Sequence, residues 1–582
     1  MPGGGRNCFP MKNLELASAL VEIADLTEIV GEESFKARAY RRAAESIAKL
    51  PRDIADYVGE GRLLEIPGVG PAIAAKIGEY LSTGKIRRLE KLRERVPRSV
   101  LELLEVPGLG PRTASVLFRE AGITDLDGLE AALAEGKIRA LRGMGEKKEQ
   151  LLLKGVKEVR RRGARVPLGV AWPLAERVVA ELREIRGVHR VEVGGGIRRR
   201  CETVGDADIV ASTVEPQLLL TAFTSLPGVS GVTASGEGMA TVRVEGLGPV
   251  DLRVVEPPDF VTALHHWTGS REHCARLKGF AEERGFRITE RGVLDETGTR
   301  VEIGDEADIY RLLGMEYVPP ELREDAGEIE AARESRLPHL VQGSDVRGDL
   351  HVHTDWTDGT GSVAEMARAA MDMGYQYIAV CDHSKSLGVA GGLDEEEVRL
   401  QGEEIDRVNG EVEGFRVLKG IEVEIDKNGG LDLDDSVLRD LDIVVAAVHS
   451  AFNMGKEAMT ARIETALKNE HVDVLAHPTG RLIGRREPYE LDVDRIVDTA
   501  AKTGTVLEIN ASPDRLDLPD RWSRRAVRAG CRLALNTDAH STAGLGDMEF
   551  GVAVARRSWA TPGDIVNTLS LDDLRRALRR GR

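Results

Sequence analysis

Nine imidazole and carboxylate side chains, each at or just behind the end of a short apolar run, constrain this 582-residue chain more than any other feature. All nine follow residue 350. The segment D-L-H-V-H-T-D-W-T-D-G supplies His351, His353 and Asp358, C-D-H-S supplies His383, and K-G-I-E-V-E supplies Glu422. A-V-H-S adds His449, L-A-H-P adds His477, and N-T-D-A-H-S adds Asp538 and His540. The runs 378–380, 417–418, 443–448, 472–476, 506–509 and 533–535 read as strands, and helical patterns separate them to the end of the chain. That alternation predicts an α/β barrel-like domain. Residues two apart on a strand share a face, so the H-x-H and D-x-H pairs point together. A lone buried histidine is usually a satisfied core group, but nine such ligands at successive strand ends are too many for one ion. They fit a cluster of two or three ions, Mn²⁺ or Zn²⁺ by the mixture of imidazole and carboxylate. A cluster of this kind clamps a phosphate and lowers the pKa of a bound water.

The opposite end of the chain repeats. L-L-E-I-P-G-V-G-P starts at Leu63 and L-L-E-V-P-G-L-G-P at Leu103, and a weaker copy, L-R-G-M-G-E-K-K, starts at Leu141. Each copy leads into a helical pattern. Glycines such as Gly68, Gly70, Gly108 and Gly110 allow positive φ and close approach. The helix that follows points N–H groups at a phosphate without reading sequence. Helices are also expected over 14–29 and 39–50. The formal net charge of −17 argues against a nucleic-acid partner until its distribution is considered. Residues 1–165 hold 30 Lys and Arg against 24 Asp and Glu, so the acidic excess lies entirely beyond them. A basic N-terminal region on an acidic body suits a DNA-gripping module joined to carboxylate-rich metal sites.

Between these ends the texture is β-rich, with runs at 188–193, 207–211, 242–244 and 250–255. Asp206 and Asp208 flank the start of one run, and Asp251 sits in another. Three carboxylates on neighbouring strands suit two Mg²⁺ ions, one activating a 3′-hydroxyl and the other neutralising a triphosphate.

The segment V-E-V-G-G-G-I-R-R-R-C-E-T-V-G-D-A-D-I-V (191–210), with W-T-G-S at 267–270 and Y-V-P-P-E-L-R-E at 317–324, resembles the DNA polymerase beta-type nucleotidyltransferases over residues 11–320. The nine-ligand set resembles the PHP (polymerase and histidinol phosphatase) family, a seven-stranded, TIM-like barrel with a trinuclear centre. Together they resemble the bacterial and archaeal family X DNA polymerases that carry a C-terminal PHP domain. The resemblance implies a multidomain chain: an all-α helix-hairpin-helix region, an α+β polymerase-beta-like palm and an α/β PHP barrel. The expected divisions are 11–90 (5′-phosphate-binding, lyase-like), 91–165 (helix-hairpin-helix), 166–256 (palm), 257–320 (thumb-like), 321–344 (linker) and 345–582 (PHP).

The resemblance also implies roles. Gly195, Gly196, Arg199 and Gly205 would contact the triphosphate, and residues 266–269, with Trp267 and Gly269, would shape the sugar pocket. Lys76 stands where the family has a lysine that forms a Schiff base with an abasic sugar and releases it by β-elimination. Lys36, Tyr40 and Lys85 match phosphate-pocket and supporting positions, while Ala72 replaces another lysine. Gly196 replaces the family's loop serine, which removes a hydroxyl from a phosphate oxygen, and Cys274 replaces an asparagine that touches the nucleotide. The implied activities are gap-filling DNA synthesis in repair, a manganese-dependent 3′→5′ exonuclease and a 5′-deoxyribose phosphate lyase. The alternative is a PHP nuclease or phosphatase whose polymerase half only binds DNA ends. The implied partners are gapped or nicked double-stranded DNA and dNTPs, with the chain a monomer.

Five scattered cysteines without a C-x-x-C pair exclude a disulfide framework and suit a reducing cytoplasm. No apolar run is long enough for a bilayer. The first ten residues read as an extension rather than a signal peptide.

Overall fold

The structure, a computed structural model, describes residues 11–578 apart from 33, 49, 51–53, 98, 107, 142, 163 and 164. The expected extension at residues 1–10 and the side chains of Arg160, Arg161 and Arg162 lie outside the described residues.

The N-terminal region is helical, as its periodicity predicts. Met11–Ile29 and Ser34–Ala48 pack against each other. The Arg41 guanidinium ties them by reaching Asp25 at 2.7 Å and Glu28 at 2.9 Å. One apolar core runs from Leu16 through Ile47, Ile77 and Leu117 to Val156, so the expected divisions 11–90 and 91–165 share it. The repeated hairpins take one geometry three times. Gly68, Gly108 and Gly143 have φ of 82°, 81° and 75°. Gly70 and Gly110 then cap the helices Pro71–Thr83 and Pro111–Ala121, each with proline in the first turn. Proline is favoured there because its missing N–H has no helical partner to lose.

The palm is a five-stranded sheet in the order Val188–Val193, Ala207–Thr213, Gly248–Val255, Met239–Val244, Val229–Gly236. Its one parallel pairing sets Asp208 directly opposite Asp251. The edge strand Val229–Gly236 has no counterpart among the expected strands. Its side chains are almost all exposed, so it lacks the apolar alternation that marks a half-buried strand. Helices Phe260–Thr268 and Arg271–Glu282 follow, with a small sheet of Arg287–Thr289, Gly292–Leu294 and Arg300–Val301 that was likewise not expected. The stretch 321–344, expected as a linker, is packed rather than loose. It contains the helix Glu328–Arg333, and Arg323, Ile329, Ala332, Leu340 and Val341 are buried.

The C-terminal barrel has seven parallel strands in sequence order: Gly348–Val352, Tyr377–Val380, Arg416–Glu424, Ile443–Ala447, Val474–Leu475, Val506–Asn510 and Leu533–Asn536. A parallel bridge between Val352 and Ala539 joins the first strand to the segment behind the last. Strands buried on both faces read as continuous apolar runs, which is why six of them were legible. The first is no apolar run, because Asp349 and His351 interrupt it, and only its H-x-H pair marked it as a strand.

Two candidate metal centres

The barrel brings all nine expected ligands to the C-terminal ends of its strands. Three groups of converging atoms form: His353, Asp358, His383 and His540; His351, His353 and Asp538; and His383, Glu422 and His449. His477 joins them through Glu422, with its Nε2 2.9 Å from the carboxylate. His477 and Asp538 hold left-handed backbone, φ 26° and 55°, a strain that a non-glycine residue bears only where surrounding structure imposes it.

Three imidazoles are oriented by acceptors behind them. His351 Nδ1 lies 2.8 Å from Glu508, His449 Nδ1 3.1 Å from Glu424, and His540 Nδ1 2.8 Å from the Asp538 carbonyl. A carboxylate or carbonyl only accepts, so each Nδ1 carries the proton and each Nε2 turns its lone pair to the centre. Glu508 also accepts the His477 backbone N–H at 2.7 Å, which makes the sixth strand a support for ligands on the first and fifth. Sequence reasoning missed Glu424 and Glu508. The only signal was a carboxylate two residues from Glu422 and another inside an apolar run.

The electrostatics fit bound cations. Burial works against charge on His351, but Glu508, Glu422 and Asp538 outweigh it and raise its pKa well above the usual imidazole value. Burial, with His540 and His383 nearby, instead pushes His353 down to about 3. Asp538 and Glu422 are held well below the carboxylate range by the surrounding imidazoles, against the effect of burial. His383 Nδ1 and Glu422 Oε2 stand 2.7 Å apart, yet neither makes a well-directed hydrogen bond, and His353 Nδ1 is also buried without one. His351 and His353 face each other Nε2 to Nε2 at 3.2 Å. Imidazole nitrogens and carboxylate oxygens that converge this closely form a donor set that a metal ion satisfies.

The second centre lies on the palm. Gly195, Gly196, Arg199, Asp206, Asp208, Trp267 and Gly269 line a cavity of about 520 Å³, the size of a small-molecule site. Gly205 and Asp251 are outside that lining, Asp251 being the register partner of Asp208. Burial, then the charges of Asp206 and Asp251, raise Asp208 to about 7, and Arg253 and Arg199 only partly offset them. An acidic group this uncompensated fits divalent cations. Gly195 stands at φ 55° where a Cβ would fall 2.0 Å from the Asp208 carboxylate, so glycine is required there. Gly196 is different: its φ is not left-handed, and a Cβ would meet Val204 at 3.1 Å. Cys274 lines the cavity, its Sγ 3.5 Å from the His266 carbonyl. Arg271 and Lys278 add cationic walls that the sequence reading did not single out. Arg198, between the glycines and Arg199, pairs with Glu306 at 2.6 Å and anchors the loop to the thumb-like subdomain.

In the N-terminal region Lys76 Nζ lies 5.6 Å from the centre of the Tyr40 ring and donates to the Ala72 carbonyl at 2.9 Å. Lys36 is one turn before Tyr40 on the same helix, and Lys85 follows the far end of Pro71–Thr83. Positions without Cβ neighbours within 4 Å include Gly70 and Gly110, which leaves both hairpins open to a close approach.

Comparison with known proteins gives four family matches. Residues 11–86 match a helix-hairpin-helix domain, 100–158 a SAM-like helix-hairpin-helix tandem, 263–324 the DNA polymerase beta thumb and 349–512 the PHP domain. The DNA polymerase/3′-5′ exonuclease PolX of Bacillus subtilis (strain 168) is 39% identical over 573 residues, covering 98% of this chain and all of that protein. A probable phosphatase of Thermoanaerobacter sp. (strain X514) is 29% identical over 231 residues, 38% of this chain and 89% of its own length. Among the described residues no helix is long and apolar enough to cross a membrane.

Proposed function

The chain belongs to the PolX family of DNA polymerase/3′-5′ exonucleases, family X polymerases with a PHP domain, and from that premise we propose which residues carry each activity and on what DNA. Synthesis is assigned to the palm. Asp206, Asp208 and Asp251 hold two Mg²⁺ ions. When bound, the ions lower the pKa of a primer 3′-hydroxyl and neutralise the triphosphate. Arg199 and the backbone of Gly195, Gly196 and Gly205 bind triphosphate oxygens. Trp267 and Gly269 pack the sugar, with Arg253 stacked 4.2 Å over the Trp267 ring to hold it in place.

Hydrolysis is assigned to the barrel. His351, His353, Asp358, His383, Glu422, His449, His477, Asp538 and His540 would hold two or three ions, Mn²⁺ or Zn²⁺, which when bound would lower the pKa of water and so supply a nucleophile at neutral pH. Glu508 and Glu424 accept from Nδ1 of His351 and His449, which fixes the tautomer in which Nε2 faces the centre.

The DNA is a gap or nick in a duplex, gripped through phosphates by Gly68, Gly70, Gly108 and Gly110 with Lys36, Tyr40 and Lys85. Lys76 attacks a 5′-deoxyribose phosphate, a step that needs the amine free of its proton. The chain works as a monomer in the reducing cytoplasm; the described cysteines, Cys201, Cys274, Cys381 and Cys531, are free thiols, which supports the reducing compartment.

The observation that carries this reading is that two sets of converging ligands sit on two different sheets of one chain. The test is primer extension on a gapped duplex, with Mg²⁺ and then Mn²⁺, alongside loss of a labelled 3′ end. Extension without any trimming, or trimming without any extension, contradicts it.

A further inference from the structure

The palm loop 199–202 is also where the barrel touches the polymerase. Arg557, in the barrel helix Met548–Arg557, crosses the boundary. Its Nη1 donates to the Arg199 carbonyl at 2.8 Å and to Glu324 Oε1 at 2.9 Å. Arg199 Nε donates to the same Glu324 oxygen at 3.0 Å, and its Nη1 donates to the Thr268 carbonyl at 2.8 Å. Arg557 is itself fixed by Asp520 at 2.7 Å and is only 13% exposed. One barrel side chain therefore holds Arg199 at both ends, its main chain directly and its guanidinium through Glu324. Neighbouring pairs reinforce the seam: Arg556 with Glu321 at 2.7 Å and Arg481 with Glu202 at 2.7 Å.

We propose that Arg557 is a positioning residue for DNA synthesis, so that the nuclease domain pre-sets the arginine that receives the incoming triphosphate. The inference rests on the assignment of Arg199 to the triphosphate. A guanidinium held in a fixed fork loses less freedom when it binds phosphate than a mobile one, and that saving is read in nucleotide affinity. Arg557 lies in a different domain from the carboxylates Asp206, Asp208 and Asp251, so its loss acts on binding rather than on the chemical step.

The test uses the full-length protein in steady-state extension of a gapped primer, with exonuclease activity and melting temperature measured alongside. Arg557→Leu raises KM for dNTP on the order of fivefold to tenfold with kcat nearly unchanged, because uniform binding is what is lost. Arg557→Lys keeps the charge but has no Nε–H for Asp520 to fix, so it falls between parent and Leu and replaces the Leu variant should that one not fold. The double variant Arg199→Ala/Arg557→Leu has the KM of Arg199→Ala alone, since residues acting through one another are not additive. An unchanged KM in a folded Arg557→Leu protein, or effects that multiply in the double variant, overturns the inference. An unchanged KM in Arg199→Ala overturns instead the assignment beneath it.

Discussion

Gly196 tests how far a missing hydroxyl matters. A serine there needs Val204 to yield by a few tenths of an ångström, given the 3.1 Å to a built Cβ, and no left-handed backbone opposes it. Gly196→Ser is expected to lower KM for dNTP roughly tenfold, the value of one charge-assisted hydrogen bond, while DNA affinity stays put. A raised KM would show that the loop rejects any side chain. In the barrel the residue that decides is Glu508, which binds no metal in this account but fixes His351 and the His477 backbone. Glu508→Gln should raise the Mn²⁺ concentration for half-maximal trimming by about tenfold or more, the usual effect of losing an orienting partner. An unchanged Mn²⁺ requirement would remove Glu508 from the mechanism. These two residues also mark the limit of reading a sequence. His351 and Asp538 were legible because H-x-H and D-x-H carry their own chemistry. Glu508 was not, because its roles exist only through His351, 157 positions away, and the His477 backbone, 31 positions away.

The hairpins separate a glycine needed for folding from one needed for binding. Gly108 has φ 81° and a built Cβ 2.8 Å from Leu151, so Gly108→Ala should destabilise the helical region by about 1 kcal/mol or more. Gly110 has ordinary backbone and open space, so Gly110→Ala should lose less stability than Gly108→Ala, only the cost of alanine at a helix N-cap, yet bind gapped DNA several-fold more weakly, its methyl standing where a phosphate approaches. Calorimetry and a binding isotherm at fixed salt check the pair, and equal melting losses in both variants would contradict it. Lys76 belongs to the same elements: borohydride should trap the protein on DNA bearing a 5′-deoxyribose phosphate, and Lys76→Ala should lose the adduct. No trapping in the parent would leave the region a phosphate binder. Among the elements, helices and buried parallel strands were legible from period and apolar runs. The exposed edge strand Val229–Gly236 was not, since its pairing with Met239–Val244 satisfies backbone groups and buries little.

For the molecule as a whole, the sequence made the order of the parts plain and their assembly invisible. The packing of 321–344 and the pairs Arg556–Glu321 and Arg481–Glu202 join residues more than 200 positions apart, a separation that no local pattern encodes. The two proposed centres of this chain are chemically independent. One labelled primer on a gapped duplex, with Mg²⁺ and Mn²⁺ present, reads extension and shortening together. Asp206→Ala/Asp208→Ala removes the palm carboxylates, and His353→Ala removes a side chain shared by two of the three converging groups. The first variant should shorten the primer like the parent and never extend it, while the second should extend it and never shorten it. Loss of both activities in either variant, or continued shortening by the His353→Ala protein, would contradict this expectation.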